Sequence, residues 1–209
     1  MRTVFTEDAI AWLKNHPINL DSSLVASMPD FSEFPQLTLT DWKTWFTETA
    51  SLILEKTPDL GVAIFFQSDI KVEGEWVDKG YLCQKAAERT CHTLLWHKVF
   101  CRHDPGSITF GRPSYSHLLC FSKNLRADVA LSTADVVPDL GEKLWPRGMG
   151  KAACEVACTM ILKETKTRTV LNPFCGHGSV LAVANRLGLH AIGIEMSAKR
   201  AEKARLAQF

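Results

Sequence analysis

Short apolar runs and amphipathic stretches alternate along almost the whole chain. The run Gly61–Phe66 is apolar without interruption, which predicts a central strand covered on both faces. The other predicted strands are Thr3–Phe5, Leu24–Ser27, Thr93–Cys101, His117–Ser122, Thr167–Leu171 and Ala191–Glu195. The predicted helices are Ala9–Lys14, one that begins at Asp41, Asp78–Thr90, Lys151–Lys163, Ser179–Leu187 and Ser197–Ala207. This alternation predicts an α/β domain with a mostly parallel sheet.

Two helix starts are predicted from capping residues. Thr6 is expected to be the N-cap of the first helix, with Glu7 and Asp8 in its first turn, where negative charge suits the helix dipole. Asp41 is expected to cap the second helix, which carries Trp42 on its apolar face.

Length and charge narrow the classes of function. The 209 residues can bury one core but are too few for two full enzyme domains, so a single domain over residues 1–209 is predicted. A net charge of +1 gives no overall attraction to nucleic acid or membranes, so a polyanion would need a local basic surface. No apolar run approaches the roughly 20 residues of a membrane span. No secretory signal is recognisable either, and a cytoplasmic protein without membrane contact is expected.

Cysteine usage points to reduced thiols rather than disulfides. The chain has seven cysteines, an odd number. Cys154 and Cys158 stand four apart on a predicted helix, a spacing that suits half of a metal site, but no matching pair follows. No bound metal is therefore expected.

The strongest chemical signal is a glycine turn between a predicted strand and a predicted helix. Gly176 and Gly178 allow positive φ and close approach of a ligand to the backbone. Glu195 ends the next strand, 19 residues after Gly176, where a carboxylate can accept both hydroxyls of a ribose. The phosphate-binding pattern G-x-G-x-x-G is broken because Leu181 takes the third position. This favours a nucleoside without phosphates, such as S-adenosylmethionine, over the alternative of a plain glycine turn.

The loop Asn172-Pro-Phe-Cys-Gly-His-Gly-Ser179, followed by Gly193-Ile-Glu195, resembles a motif of the β-class (permuted) S-adenosylmethionine-dependent amino-methyltransferases of nucleic acids. Their loop is Asp-Pro-Phe-x-Gly-Ser-Gly-Thr, so Asn172 replaces an aspartate and His177 a serine. The resemblance implies a Rossmann-like class I methyltransferase sheet of seven strands in circularly permuted order. In chain order, the predicted strands would be the third, fourth, fifth, sixth, seventh, first and second of that sheet.

The same resemblance implies which residues bind the cofactor. An acidic residue after the first strand meets the adenine in that family, and Asp8, or Glu7 beside it, is the candidate here. The full cofactor-binding set is Asp8, Asn172, Pro173, Phe174, Cys175, Gly176, Gly178, Ser179 and Glu195.

Ser27-Met28-Pro29-Asp30 lies where the family has (Asp/Asn/Ser)-Pro-Pro-aromatic, which implies the catalytic segment. The Ser27 hydroxyl and the Met28 carbonyl would accept hydrogen bonds from an exocyclic amine and favour its reactive form. Asp30 replaces the aromatic that would stack on the base, and Phe31 or Trp145 is the candidate substitute. Asp30 could instead accept a hydrogen bond or the released proton. A plain strand-to-loop turn is the alternative interpretation.

Basic and aromatic residues further along the chain are candidates for substrate contact. Leu95-Trp-His-Lys98 and Arg112-Pro-Ser-Tyr-Ser-His-Leu-Leu-Cys-Phe-Ser-Lys123 are similar to later strands of the family. Lys98 and Arg102 lie in the best local basic stretch for phosphates, although a solvated strand edge explains them equally well. Trp145 could line the pocket or simply anchor a surface loop. The substrate-binding set is Phe31, Lys98, Arg102, Arg112 and Trp145.

Three functions are compatible with these residues. The first is methylation of an exocyclic amino group of a base. RNA is favoured over DNA because the chain has no room for a separate recognition domain, and a partner subunit or homodimer could assist recognition. The second is a methyltransferase for a protein or small molecule. The third is a non-catalytic binding subunit, suggested by the altered tetrapeptide.

Overall fold

One mixed sheet runs through the centre of the protein, and the computed structural model describes all 209 residues. The strands are β1 (Arg2–Phe5), β2 (Ser22–Ala26), β3 (Ala63–Gln67), β4 (Ile70–Val72), β5 (Glu75–Val77), β6 (Thr93–Cys101), β7 (Tyr115–Ser122), β8 (Val136–Val137), β9 (Thr169–Asn172) and β10 (His190–Ile194). The helices are α1 (Ala9–Asn15), α2 (Leu39–Lys56), α3 (Lys79–Arg89), α4 (Lys151–Glu164), α5 (Ser179–Arg186) and α6 (Ala198–Leu206). Short 3₁₀ helices are formed by Phe31–Glu33 and Val129–Leu131.

The order of strands across the sheet is β1-β10-β9-β2-β3-β7-β6-β8. The first five are parallel, β7 is antiparallel to both β3 and β6, and β8 is parallel to β6. All seven predicted strands are present, and their order confirms the predicted permuted arrangement. The two-residue strand β8 and the hairpin β4–β5 were not predicted, because neither has an apolar run long enough to stand out.

The core has two halves, one on each face of the sheet. Neighbouring strand residues alternate between them: Val25 and Ile64 belong to the half covered by α4 and α5, whereas Leu24 and Phe65 belong to the half covered by α2 and α3. Every residue of β3 is buried, as predicted for a central strand. No helix combines the length and the apolarity that crossing a bilayer requires.

Both predicted helix caps were wrong. Asp8, not Thr6, caps α1, because its Oδ1 accepts a hydrogen bond from the Ala11 amide at 2.7 Å. Thr38, not Asp41, caps α2: its hydroxyl accepts from the Asp41 amide at 3.1 Å and donates to the Asp41 carboxylate at 2.7 Å. The α2 helix therefore begins before Asp41, which lies in its first turn.

Parallel strands align their carboxyl ends at one edge of the sheet, where ligands bind in open α/β folds. The segments that follow β1, β10, β9, β2 and β3 all meet at this edge. They contain Asp8, Glu195, Gly176, Ser27 and Ser68, which all line a single cavity.

Candidate active site

A cavity of about 370 Å³ lies at the carboxyl edge of the parallel strands, within the range typical of small-molecule sites. It contains both segments that the sequence analysis singled out, the glycine turn after β9 and the tetrapeptide after β2. The predicted site residues in its wall are Asp8, Ser27, Met28, Pro29, Asp30, Arg112, Trp145, Asn172, Pro173, Phe174, Cys175, Gly176, Ser179 and Glu195.

The two glycines of the turn have different roles. Gly176 has a φ of +54° and lines the cavity, and its amide donates to Glu195 Oε2 at 3.1 Å. Gly178 has a φ of +83° and precedes α5, but it does not line the cavity. A Cβ at Gly178 would lie 2.9 Å from the Cα of Ala204. Gly178 therefore packs the turn against α6, which differs from its predicted place in the cofactor pocket.

Two backbone amides, those of Gly176 and Ser197, hold the Glu195 carboxylate in place. Besides the bond from Gly176, its Oε1 accepts from the Ser197 amide at 2.9 Å, and Arg200 Nε lies 3.7 Å away. The residue is only 8% exposed. Its carboxylate is thus fixed in place, and its remaining lone pairs can accept hydrogen bonds from a ligand.

Asp8 and Asn172 provide further polar groups at this end of the cavity. Asp8 lines the wall while capping α1, whereas the neighbouring Glu7 does not reach it. Asn172 is buried, and its Oδ1 accepts from the Phe174 amide at 3.2 Å. That bond leaves the Asn172 amide nitrogen as a donor, a group that an aspartate at this position would not have.

Cys175 is a packing residue rather than a reactive thiol. Burial, with a further contribution from the charge of Glu195, raises the pKa of Cys175 to about 12, so the thiolate is scarce at neutral pH. A Cβ on Gly193 would lie 2.8 Å from the Cys175 sulfur, so the glycine in β10 makes room for this side chain.

Trp145 lines the cavity and is not merely the anchor of a surface loop. Its indole stacks on His177 with ring centroids 4.6 Å apart and an angle of 24° between the planes. The Arg200 guanidinium lies 5.6 Å from the ring. Gly148 allows the loop to fold tightly here, because a Cβ at that position would lie 2.6 Å from Trp145 Cδ1. The histidine in the glycine turn thus has a packing role that the sequence did not reveal.

At the other end of the cavity, Asp30 is held by two cations. Its Oδ2 accepts from Lys79 Nζ at 2.9 Å and from Arg112 at 2.8 Å. Burial by itself would raise the pKa of Asp30, but Lys79 and Arg112 together outweigh burial and lower it. Asp30 is therefore an ionised and weakly basic carboxylate, which disfavours it as the acceptor of a released proton.

Lys79 is buried, with 2% of its side chain exposed, and burial lowers the pKa of its amine. Its backbone amide donates to Asp69 Oδ1 at 2.8 Å. Asp69 also bonds His117 Nε2 at 3.1 Å, and His117 Nδ1 lies 2.8 Å from His97 Nε2.

Asp69, His117 and Asp78 have oxygen or nitrogen atoms within 4.8 Å of one another. Because both His117 nitrogens and both Asp69 oxygens are engaged by protein groups, we assign no metal site.

An aromatic pair lies beside the tetrapeptide. Phe34 and Trp45 both line the cavity, with ring centroids 4.4 Å apart. Phe31, the predicted platform, packs edge-on against Trp42 at 5.9 Å instead and does not line the cavity. Phe34 and Trp45 therefore provide an aromatic surface in the cavity that the sequence analysis did not identify.

Two other predicted substrate residues also lie outside the cavity. Lys98 is buried, and its amine donates to the carbonyls of Thr133 and Ala134 at 2.9 and 3.1 Å, which tie the loop before β8 to β6. Arg102 is half-buried at the base of the loop between β6 and β7, and its Nη1 has no hydrogen-bond partner.

Lys79 and Gln67 line the cavity but were missed. Lys79 carried a usable signal, because a lysine in the first turn of a helix opposes the helix dipole and calls for an acidic partner. Gln67 ends β3 and is 2% exposed, and its amide nitrogen has no hydrogen-bond partner within the protein. Nothing in its local sequence distinguishes it from any other polar residue at a strand end.

Comparison with known proteins bears on the fold. No protein-family model matches the sequence, and no curated protein matches it. Among solved structures, TTHA0409 from Thermus thermophilus, provisionally described as a DNA modification methylase, has a TM-score of 0.76 at 18% identity, with 99% of this chain and 93% of that chain covered. PvuII DNA methyltransferase (cytosine-N4-specific) has a TM-score of 0.74 at 14% identity over 98% and 85% of the two chains. The M1.HpyAVI–SAM complex has a TM-score of 0.66 at 14% identity over 99% of each.

These likenesses show the fold. The chain has the Rossmann-like methyltransferase fold in permuted order, and the resemblance inferred from the glycine turn is confirmed at the level of structure. TTHA0409 has also been solved with S-adenosyl-L-methionine, at a TM-score of 0.73 to this chain.

Proposed function

We propose that this protein is an S-adenosylmethionine-dependent methyltransferase that modifies an exocyclic amino group of a base in nucleic acid. The observation that carries the proposal is the single cavity that joins the Gly176–Glu195 wall to Ser27–Asp30. A cofactor at one end and an acceptor amine at the other would then be in direct contact. Holding two reactants in line can supply roughly 7–11 kcal/mol to such a displacement.

The chemistry of the cofactor end suits S-adenosylmethionine. Asp8 and Glu195 offer carboxylate oxygens, which can accept hydrogen bonds from adenosine and favour a cationic sulfonium. Phe174 and Ile194 offer apolar surface for an adenine ring. When bound, S-adenosylmethionine supplies an electrophilic methyl group.

At the target end, we assign Ser27 and the Met28 carbonyl as acceptors for the hydrogens of the amine. Drawing those hydrogens away makes the nitrogen lone pair available to attack the methyl carbon, while the electrons of the carbon–sulfur bond remain on sulfur. One amine proton must then leave, and Ser27 is better placed than the doubly paired Asp30 to pass it to water. Phe34 and Trp45 form the platform for the base, and the free Gln67 amide is a donor for one of its ring acceptors.

The proposal includes both DNA and RNA as substrates. TTHA0409 and the PvuII enzyme are named as DNA methylases, which supports DNA over the RNA target favoured by the sequence analysis. A single-stranded base suits the proposal, because an unpaired base enters a pocket without most of the energetic cost of extruding it from a duplex.

Transfer of a labelled methyl group tests the proposal. The protein is incubated with methyl-labelled S-adenosylmethionine and separate pools of DNA, RNA and protein, followed by nuclease digestion and identification of the labelled nucleoside. We expect an N-methylated base in one nucleic-acid pool, and the Ser27→Ala variant should lose that signal. Label in protein alone would support a protein methyltransferase. Absence of label in every pool would favour a non-catalytic binding subunit and contradict the proposal.

A further inference from the structure

Three aromatic side chains are exposed, and all three belong to one surface. The chain has 11 Phe, 6 Trp and 2 Tyr, and of these only Trp76, Tyr81 and Phe110 are exposed, at 49%, 57% and 85%. Aromatic side chains bury a large apolar area when they bind a partner, and tyrosine and tryptophan are enriched at interfaces. Because the three rings share one surface, we ask which single ligand could contact all of them.

Lys71 joins two parts of this surface. Its backbone amide donates to the Gly111 carbonyl at 3.1 Å, and its Nζ donates to the Thr109 carbonyl at 2.9 Å. The same Nζ lies 4.7 Å from the centre of the Trp76 ring. The loop between β6 and β7 is thus fastened to the β4–β5 hairpin on both sides of Phe110, which holds this side chain outwards.

Beyond the hairpin, Trp76 and Tyr81 line a groove between α2 and α3 together with three cations, Lys43, Lys85 and Arg89. Lys43 pairs with Glu75, whereas Lys85 and Arg89 form no ion pair. Asp78, the one acid that lines the groove, caps α3 by accepting from the Tyr81 amide at 2.8 Å. The groove therefore presents two aromatic rings together with two cations that form no ion pair.

The surface leads to the catalytic end of the cavity. Arg112 lies in the β6–β7 loop two residues after Phe110, lines the cavity and pairs with Asp30. Arg102 and Lys143 add positive charge near Arg112: burial is the larger cause that lowers the pKa of Lys143, and the charges of Arg102 and Arg112 lower it further against the opposing effect of Asp139. Trp76 is linked to the same end through Asp69, which accepts from its indole at 3.2 Å and from the Lys79 amide.

We infer that this strip, defined by Arg112, Phe110, Lys71, Trp76, Tyr81 and Arg89, binds single-stranded nucleic acid next to the target base. The inference rests on the proposed function and names the substrate surface for it. Stacking on aromatic rings needs unpaired bases, and the interleaved cations suit the phosphates between them. A protein partner is less well matched, because Lys71, Lys85 and Arg89 accompany the rings on this surface and suit a polyanion better than an apolar partner.

Fluorescence anisotropy with a labelled single-stranded oligonucleotide of about 20 nucleotides tests the inference, since single-strand sites span about 4–16 nucleotides per domain. DNA and RNA strands and a blunt duplex are compared. Phe110→Ala and Tyr81→Ala should each weaken single-strand binding at least about fivefold, as expected for the loss of one stacked base. Lys85→Ala combined with Arg89→Ala should reduce the slope of log affinity against log salt by about 1.4.

Matched controls come from other exposed positions. Val129→Ala removes an apolar side chain that is 85% exposed on another loop, and Lys199→Ala with Lys203→Ala removes two cations from α6. These variants should bind as wild type does. Unchanged thermal unfolding of Phe110→Ala and Tyr81→Ala would show that both remain folded.

The outcomes separate this inference from the proposed function. If wild type methylates nucleic acid but the strip variants bind as tightly as wild type, the inference is wrong and the proposed function stands. Duplex binding as tight as single-strand binding, unaffected by Phe110→Ala, would also overturn it. If wild type neither binds nor methylates nucleic acid, both fail together.

Discussion

The two ends of the cavity are held together in different ways. At the cofactor end, the glycine turn and Glu195 are close in sequence, and the backbone amides of Gly176 and Ser197 fix the carboxylate. At the target end, Asp30 depends on side chains that are 49 and 82 residues away, Lys79 and Arg112. The Glu195 carboxylate is thus fixed by backbone amides close to it in sequence, whereas the Asp30 carboxylate is fixed only when distant elements have packed.

This difference has an energetic consequence. The cofactor end is vulnerable to changes that alter the turn itself, such as a side chain at a positive-φ glycine. The target end is vulnerable to the loss of a single charge, because a buried ion without its partner is strongly unfavourable. Each prediction below acts on one end and should leave the other intact.

The largest effect is expected from Asp30→Ala. It leaves the buried Lys79 ammonium without a carboxylate, which should lower the free energy of unfolding by about 3–5 kcal/mol. Urea unfolding at neutral pH measures the change. Lys79→Met in the same chain removes the orphaned charge and should restore most of the loss. An Asp30→Ala protein as stable as wild type would show that the ion pairs do not hold the target end together.

Ser27→Ala acts on the same end without disturbing a charge. Loss of the hydroxyl acceptor should reduce kcat about 100-fold, at the lower end of what a positioned acid–base group contributes. The Kd for S-adenosylmethionine should stay unchanged, since Ser27 belongs to the target end. Single-turnover methyl transfer and calorimetry measure the two quantities. An unchanged kcat would remove Ser27 from the mechanism.

Gly178→Ala acts on the cofactor end. The positive φ and the approach to the Ala204 backbone should together cost about 2 kcal/mol of stability or more. Gly188 provides the control, because its φ is also positive, at +82°, yet nothing lies within 4 Å of an added Cβ. Gly188→Ala should therefore show only the backbone cost, about 1 kcal/mol. Equal losses in the two variants, by thermal unfolding, would mean that contact with α6 is unimportant.

The smallest effect is a pH dependence that comes from Asp30. Its pKa is lower in the folded protein than the ordinary value of about 3.9. At pH values between the pKa of Asp30 in the folded protein and its pKa in the unfolded chain, the unfolded chain binds a proton that the folded protein does not. The free energy of unfolding therefore falls as the pH drops through this window. Asp30 makes its full contribution to the free energy of unfolding at pH values above the ordinary pKa of about 3.9. Asp30→Asn should flatten the decline of urea midpoints below about pH 5, and parallel curves would contradict the ion-pair assignment.

The architecture could be predicted because it depends on local signals. Short apolar runs, above all the uninterrupted run at Gly61–Phe66, identified the strands, and the glycine turn with Glu195 identified one βαβ unit. Once the permuted order was inferred from that turn, the position of Ser27 opposite the cofactor loop followed. The predictions of the helix caps were wrong because several residues that can cap a helix occur close together in the sequence. Only packing decides at which of them the helix begins.

The target end could not be predicted in full, because its contacts are long-range. Asp30 occupies a position where an aromatic was expected, and only the fold shows that Phe34 and Trp45 lie nearby. Lys98 was expected to contact phosphates, yet it points into the protein and binds carbonyls before β8. A basic residue in a strand carries no local sign of the face on which it lies.

The central claim is that Glu195 and the turn at Gly176 form a nucleoside site that opens onto Ser27–Asp30. Calorimetric titration with S-adenosylmethionine tests it in wild type, Glu195→Ala and the control Glu202→Ala, which removes a carboxylate exposed on α6. We predict saturable binding to wild type and the control, and at least about tenfold weaker binding to Glu195→Ala, as expected for lost charge-assisted hydrogen bonds. No binding to wild type, or equal affinity in all three proteins, would contradict the claim.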